Sequence, residues 1–332
     1  MNDTLFPTAA ALALAALAPA RAAATYADDV ALLKQHTTVI ELAAGQARVA
    51  IAPAWQGRVM TSTAAGPGGE SFGWINRELI AAGIKPEAER TVHLAGAPAL
   101  AAACNGPLPE GVKAAGYQTR NTVRNTGDQA WARETGAPSI WLLGMFNPTP
   151  QTTVVIPIRP GDEAQLGPVA NTSYAGFGPI PPDRVKTTAS TLFFKGDGKS
   201  RGKLGIPPRR ATGLAGSWQA DSGVLTLVRI APAADQAAAG WPYVDSQWKE
   251  DGDPYAGDVI NAYNDGPAAP GAKPLGPFYE LETSGPAMLL APEASFTHAQ
   301  TTVHLTGPRP ALDAVARRTL GVGLAAIEAA LP

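Results

Sequence analysis

The sequence predicts an all-β protein of antiparallel strands with a short helical cap at its C-terminal end. Three observations carry this. Strand-like apolar runs follow one another along most of the chain and no strand–helix–strand alternation appears. Gly 35 and Pro 31 are both high and charged residues are only 16%, a mix suited to many strands joined by tight turns. The prolines are spread rather than gathered in one tract, which argues against a disordered low-complexity segment. The 332 residues suffice for a large core, and 25–332 read as a single domain.

The elements follow in order. Residues 28–35 read as a helix. Residues 38–42 and 47–51 read as strands flanking Ala43-Ala44-Gly45-Gln46, a hairpin signal. A strand at 57–62 and a helix at 76–82 come next. Strands are then expected at 91–94, 118–125, 139–146, 152–158, 190–194, 211–218, 224–230, 258–263, 278–283, 287–290 and 295–306. The tail 309–330 carries Leu312, Val315, Ala316, Leu320, Leu324 and Ile327 near helical spacing, broken at Gly321 or Gly323. Two packed antiparallel sheets are the natural architecture. Loops as long as 94–116 and 159–185 tend to be functional or mobile.

A formal charge of -2 supplies no basic field for nucleic acid and no polybasic membrane patch. Cys104 is the single cysteine, so neither an intrachain disulfide nor a cysteine metal cluster is available. No His-x-His or His-Glu-x-x-His spacing supports a metal hydrolase, and no cofactor motif is present. Residues 1–24 read as an export signal: an apolar run over 9–18 precedes the small-x-small pattern Ala20-Arg21-Ala22. Asn2 and Asp3 stand where such signals carry positive charge, and a disordered alanine-rich leader is the alternative. The expectation is a periplasmic or secreted protein with no stable membrane insertion once the leader is removed.

The chemistry centres on Phe278-Tyr279-Glu280-Leu281-Glu282-Thr283. Side chains alternate along a strand, so Glu280 and Glu282 share one face. Two carboxylates side by side repel unless they meet water, a cation or a polar ligand. Neighbours on one strand cannot flank a scissile bond, which weakens a glycosidase reading. One carboxylate can serve as a base with the other orienting; a salt-bridged pair held by Arg or Lys from the next strand is the competing account.

His298 and His304 share a face of the 295–306 strand about 20 Å apart, too far for one metal. His298 is a candidate acid if its strand pairs beside Glu282; a structural histidine is the alternative. Asn261, Tyr263 and Asn264 carry groups that sugar hydroxyls use, at a strand end that also reads as turn chemistry. Trp74 and Trp141 are stacking candidates or core aromatics. Asn76 lies in a segment mixing Trp74 and Arg77, and Arg58 is either a buried ion-pair partner or a hydroxyl clamp. Lys195 opens a basic, glycine-rich stretch ending at Lys203, read as a hairpin turn with solvated charges or a rim contact to an acidic sugar or a phosphate group.

Several stretches together resemble a bacterial, mostly exported family of the galactose-mutarotase-like (aldose epimerase-like) superfamily. They are Ser71-Phe72-Gly73-Trp74-Ile75-Asn76-Arg77, Ser139-Ile140-Trp141-Leu142-Leu143-Gly144-Met145-Phe146-Asn147-Pro148, Phe193-Phe194-Lys195-Gly196-Asp197-Gly198-Lys199, Asn261-Ala262-Tyr263-Asn264-Asp265-Gly266-Pro267 and the Glu280–Pro286 strand. The resemblance implies a β-supersandwich with a carbohydrate-binding concave face. It implies a base role for Glu282, since Leu281-Glu282-Thr283 looks like the element bearing the epimerase base. The chain departs from that family after about residue 86. It passes from Ile84-Lys85-Pro86 almost directly to Arg90-Thr91-Val92-His93-Leu94, without the long stretch containing Gly-Gly-Glu-Asp-Arg-Phe-Trp. No histidine stands near Trp141 or Asn147, where a mutarotase keeps its acid. The sequence therefore leaves two expectations: a carbohydrate-active protein with Glu282 as base, or a non-catalytic sugar-binding or structural sandwich.

Overall fold

A computed structural model describes residues 24–77, 80, 90–230, 241–247, 252–269 and 271–332. The leader up to residue 23, most of the helix expected at 76–82 and the 84–86 junction lie outside the described residues. The chain starts with helix α1 (Tyr26–Lys34), whose N-cap Thr25 and Asp28 form a reciprocal capping box. Strands β1 (Ile40–Ala44), β2 (Ala47–Ala52) and β3 (Arg58–Thr63) make a three-stranded antiparallel sheet in that order. Gly45, at φ 58, turns the expected hairpin between the first two.

Eight strands form the main sheet, in the order β10-β11-β7-β13-β14-β17-β5-β4. They are β4 (Thr91–Leu94), β5 (Lys113–Arg124), β7 (Thr152–Pro157), β10 (Val185–Thr187), β11 (Thr191–Lys195), β13 (Leu214–Gln219), β14 (Val224–Ile230) and β17 (Ser295–Thr306). A smaller sheet runs β12-β15-β16-β6, from β12 (Gly202–Ile206), β15 (Ile260–Asn264), β16 (Tyr279–Ser284) and β6 (Trp141–Phe146). Every pairing in both sheets is antiparallel. A two-stranded hairpin, β8 (Ser173–Tyr174) with β9 (Gly178–Pro179), lies inside the long loop after β7.

The two larger sheets face each other, and alternation along each strand explains how. Val154 and Ile156 of β7, Leu192 and Phe194 of β11 and Val228 of β14 bury one face of the main sheet against Leu204, Ile206, Ala262, Tyr279 and Leu281 of the smaller one. The intervening residues Val155, Phe193, Leu225, Leu227 and Trp218 bury the opposite face. That face is covered by α2 (Ala97–Ala103), α4 (Arg309–Leu320) and α5 (Leu324–Glu328). The expected tail helices form with the break where the glycines stand, Gly321 taking φ 76 as a left-handed cap. A short helix α3 (Glu163–Leu166) completes the elements named among the described residues.

Three expectations change. The 287–290 run is not a strand; Ala287 and Met288 are buried as irregular chain whose N–H groups donate to Pro242 and Pro138 carbonyls. The loops 94–116 and 159–185 contain α2, α3 and the small hairpin. The basic stretch ending at Lys203 is not all exposed turn, because its last residues enter β12 and Lys203 is only 5% exposed. Two glycines interrupt the apolar pattern of β12, which hides the strand from a reading of side-chain periodicity.

Candidate functional site

With Leu204, Ile206, Ala262 and Leu281 committed to the core, alternation sends their neighbours to the other face of the small sheet. Register then aligns them in two rows. Gly205, Asn261, Glu282 and Leu143 stand side by side, and next to them Lys203, Tyr263, Glu280 and Met145. The paired carboxylates do share one face.

That face is covered. Glu282 is 0% exposed and Glu280 5%. Glu282 Oε2 accepts hydrogen bonds from Lys203 Nζ at 2.9 Å and from Trp141 Nε1 at 2.7 Å. Lys203 reaches across β15 to make this ion pair, and its ammonium lies 4.6 Å from the centroid of the Trp141 ring. The partly exposed indole of Trp141 thus lies across the Glu282–Lys203 pair, beside Leu143, which is 43% exposed. The same pairing is what a structural account of Glu282 anticipates, with the cation coming from a strand two places away.

Glu282 Oε1 is buried and receives no N–H or hydroxyl donor, and Asn261 Oδ1 is in the same position. These residues are direct cross-strand partners. Glu280 hydrogen-bonds to Glu282 through its carboxyl. Burial, and next the neighbouring charge of Glu282, hold the Glu280 carboxyl far above its ordinary range. Beside them, Tyr174 from β8 donates to Asp258 Oδ2, and Asn261 Nδ2 donates to the Tyr174 hydroxyl at 2.6 Å and to the Leu204 carbonyl at 3.1 Å. Burial pushes the Asp258 carboxyl up to about 6. Gly205 makes this arrangement possible: a Cβ there would collide with Asp258 and with the Tyr174 hydroxyl. The backbones of Asn171 and Gly205 exchange two hydrogen bonds of 2.8 Å, which fix the small hairpin over this end of the face.

An aromatic row borders the other end. Trp74 packs on Phe278 with ring centroids 4.4 Å apart, Phe278 on Tyr263 at 5.6 Å, and Phe177 meets Tyr263 edge-on. Trp74 also donates its backbone N–H to Met145 of β6. The structure therefore gathers Glu280, Glu282, Asn261, Tyr263 and Trp74 along one face or its border.

The remaining candidates lie elsewhere. His298, in β17, bonds through Nε2 to the Thr283 hydroxyl at 3.0 Å. Thr283 points into the core, opposite to Glu282, so the sheet itself separates the histidine from the carboxylates. Burial lowers the His298 ring to about 4. Arg58 is exposed at the start of β3 and donates to Gln56. Asn264 pins the turn after β11, accepting from the Gly198 N–H and donating to the Ser200 carbonyl, each at 2.8 Å. Lys195 donates to the Pro332 carbonyl on the opposite side of the main sheet. Asn76 sits where the chain leaves toward 81–89, its carbonyl accepting from the Ile80 N–H.

Three residues of the cluster carry no motif. Lys203 is concealed by the glycines of β12 and Tyr174 by its long loop. Asp258 opens the strand expected at 258–263, and the one available signal is an acid at the head of an apolar run.

Fold and face together define a β-sandwich whose smaller sheet carries a buried acid–amide–lysine cluster on the side away from the core. The chain belongs to a family of unknown function, DUF6786, matching it over residues 24–88 and 84–331. The two matches meet at 84–88. No curated protein matches. Among solved structures, a protein of Synechocystis sp. PCC 6803, Slr1438, is similar at 11% identity and a TM-score of 0.45, over 82% of this chain and 96% of its own. A galactose mutarotase-like protein of Clostridium acetobutylicum is similar at 9% identity and a TM-score of 0.35, over 81% and 95%. A TPR-domain containing protein of Parabacteroides distasonis ATCC 8503 has 14% identity and a TM-score of 0.44 over 81% of this chain. This chain spans about half, 47%, of that protein's length.

Proposed function

We propose that the outer face of the small sheet binds a free aldose and interconverts its anomers, with Glu282 as the base. The observation that carries this reading is the pair of buried oxygens, Glu282 Oε1 and Asn261 Oδ1, on adjacent strands with no N–H or hydroxyl donor supplied by the fold. A buried acceptor without a donor costs about 1–3 kcal/mol; a sugar hydroxyl can donate to Asn261 Oδ1 and, in place of the Glu280 carboxyl, to Glu282 Oε1. Anomer interconversion needs a base for the O1 proton, and a carboxylate held by Lys203 and Trp141 through its other oxygen presents Oε1 for that proton. The Leu281-Glu282-Thr283 resemblance points the same way. Trp141 lies across the pair, so a sugar that reaches Glu282 contacts the indole, and binding should change tryptophan fluorescence.

A second reading, a sugar-binding or structural sandwich without turnover, draws on two observations. Glu282 is wholly buried in an ion pair, and the family match breaks at 84–88, where the resemblance places the missing segment. One substitution separates the readings. Under the first, Glu282→Gln lowers anomer interconversion by roughly a hundredfold to ten-thousandfold in polarimetry, while sugar binding stays close to wild type at a temperature where the variant, which has lost the partner of buried Lys203, remains folded. Binding without any wild-type turnover selects the second reading. No binding, no turnover and a large loss of stability in the variant would remove the carbohydrate site altogether.

A further inference from the structure

We propose that Glu280 is the acid partner of Glu282: the two carboxyls share one proton, and Glu280 delivers it to the ring oxygen of the sugar. This rests on the aldose reading of the face and supplies the acid that no histidine provides. His298 and His304 both bond within the core, to Thr283 and Thr226, on the wrong side of the small sheet.

The geometry favours a neighbouring acid. In anomer interconversion the two oxygens that exchange protons, O1 and the ring oxygen O5, are bonded to the same carbon. Acid and base must therefore sit side by side, unlike the opposed carboxyls of a glycosidase. Residues two apart on a strand are about 7 Å apart at Cα and point the same way, which brings their carboxyls together. Glu280 and Glu282 are such a pair, both buried.

Charge and hydrogen bonding assign the proton. Glu282 Oε2 is taken by Lys203 and Trp141, and Oε1 has no N–H donor. Two buried carboxylates against one ammonium leave a negative charge in excess, and a proton on Glu280 removes both defects at once. The charged groups acting on Glu280 are Glu282, Lys203 and Asp265, two of them acidic. The reaction then balances. Glu282 takes the O1 proton as the C1–O1 double bond forms. The C1–O5 bond breaks and O5 takes the Glu280 proton. The open-chain aldehyde rotates about C1–C2, and closure on the other face runs the same transfers in reverse, restoring both carboxyls.

The test compares wild type and Glu280→Gln. Polarimetry on freshly dissolved single anomers of D-glucose and D-galactose reads turnover, fluorescence titration reads binding, and infrared spectra read the carboxyl stretch of a protonated acid at neutral pH. The expected result is a protonated-carboxyl band in wild type that the variant lacks. Turnover in the variant falls at least a hundredfold with binding retained, and wild-type turnover declines as pH rises past about 9, where the acid is lost. An active wild type whose Glu280→Gln variant keeps its rate overturns the acid role and leaves the aldose reading standing. An active wild type with no carboxyl band overturns the shared proton. Sugar binding with no wild-type turnover, band present or not, removes the epimerase reading and the acid role with it.

Discussion

Lys203 decides the character of the site at the residue scale. It converts a repelling carboxylate pair into a cluster with one cation, and it does so while 5% exposed. A buried ion pair adds little net stability because both charges are desolvated, but removing one partner leaves the other uncompensated. Lys203→Met should therefore destabilise the chain by about 3–5 kcal/mol in chemical denaturation. Adding Glu282→Gln to the same chain should recover much of that loss, since the stranded charge goes with it. A Lys203→Met variant as stable as wild type would show that the pair is not buried as described. The same logic explains why Asn264 and Lys195, chosen for their hydrogen-bonding groups, stand apart. Each spends those groups on backbone atoms of a turn or of the chain end.

The division of labour at the scale of elements follows from strand alternation. The small sheet presents Leu204, Ala262 and Leu281 inward and Lys203, Asn261 and Glu282 outward, so core and site are two faces of the same strands. The main sheet likewise uses its far face for the helical cap. There Leu320 of α4 is 1% exposed and fits over Gly216 of β13, where a Cβ would come within 3.0 Å of its side chain. Leu320→Ala should cost about 2–5 kcal/mol of stability, because a buried cavity replaces the side chain. Sugar binding at a temperature where the variant stays folded should be unchanged, as two sheets separate the cap from the Glu282 face. A loss of binding in the folded variant would mean that the cap and the site are coupled.

Buried titratable groups set opposing limits on stability across the whole molecule. The Glu280 carboxyl rises from 4.5 to about 9 in the folded chain, chiefly through burial. Between those values the folded state holds a proton that the unfolded state releases, so this contribution is present below about 4.5 and is lost as pH rises. His298 and His304 fall from 6.5 to about 4 and about 3, again by burial. Below 6.5 the unfolded state takes up protons that the folded state refuses, so stability falls as pH drops. Melting temperature should therefore peak in mildly acidic solution, and Glu280→Gln should flatten the decline toward about pH 9. An alkaline limb unchanged in that variant would argue against a buried proton on Glu280.

The sequence by itself determined the all-β class, the hairpin at Gly45, the two-piece tail and the shared face of Glu280 and Glu282. These are local matters of side-chain period and turn chemistry, which the order of residues states directly. Only the tertiary structure decided which face of β16 looks inward. That choice put His298 across the sheet from Glu282 and brought Lys203, Tyr174 and Asp258, separated by tens of residues, to one cluster, Lys203 bonding Glu282 and Tyr174 bonding Asp258. Strand order and register are set by how whole apolar faces bury one another, and no single segment carries that information. The cation and the cover of the site therefore came from a glycine-broken strand and a long loop, where periodicity has nothing to read.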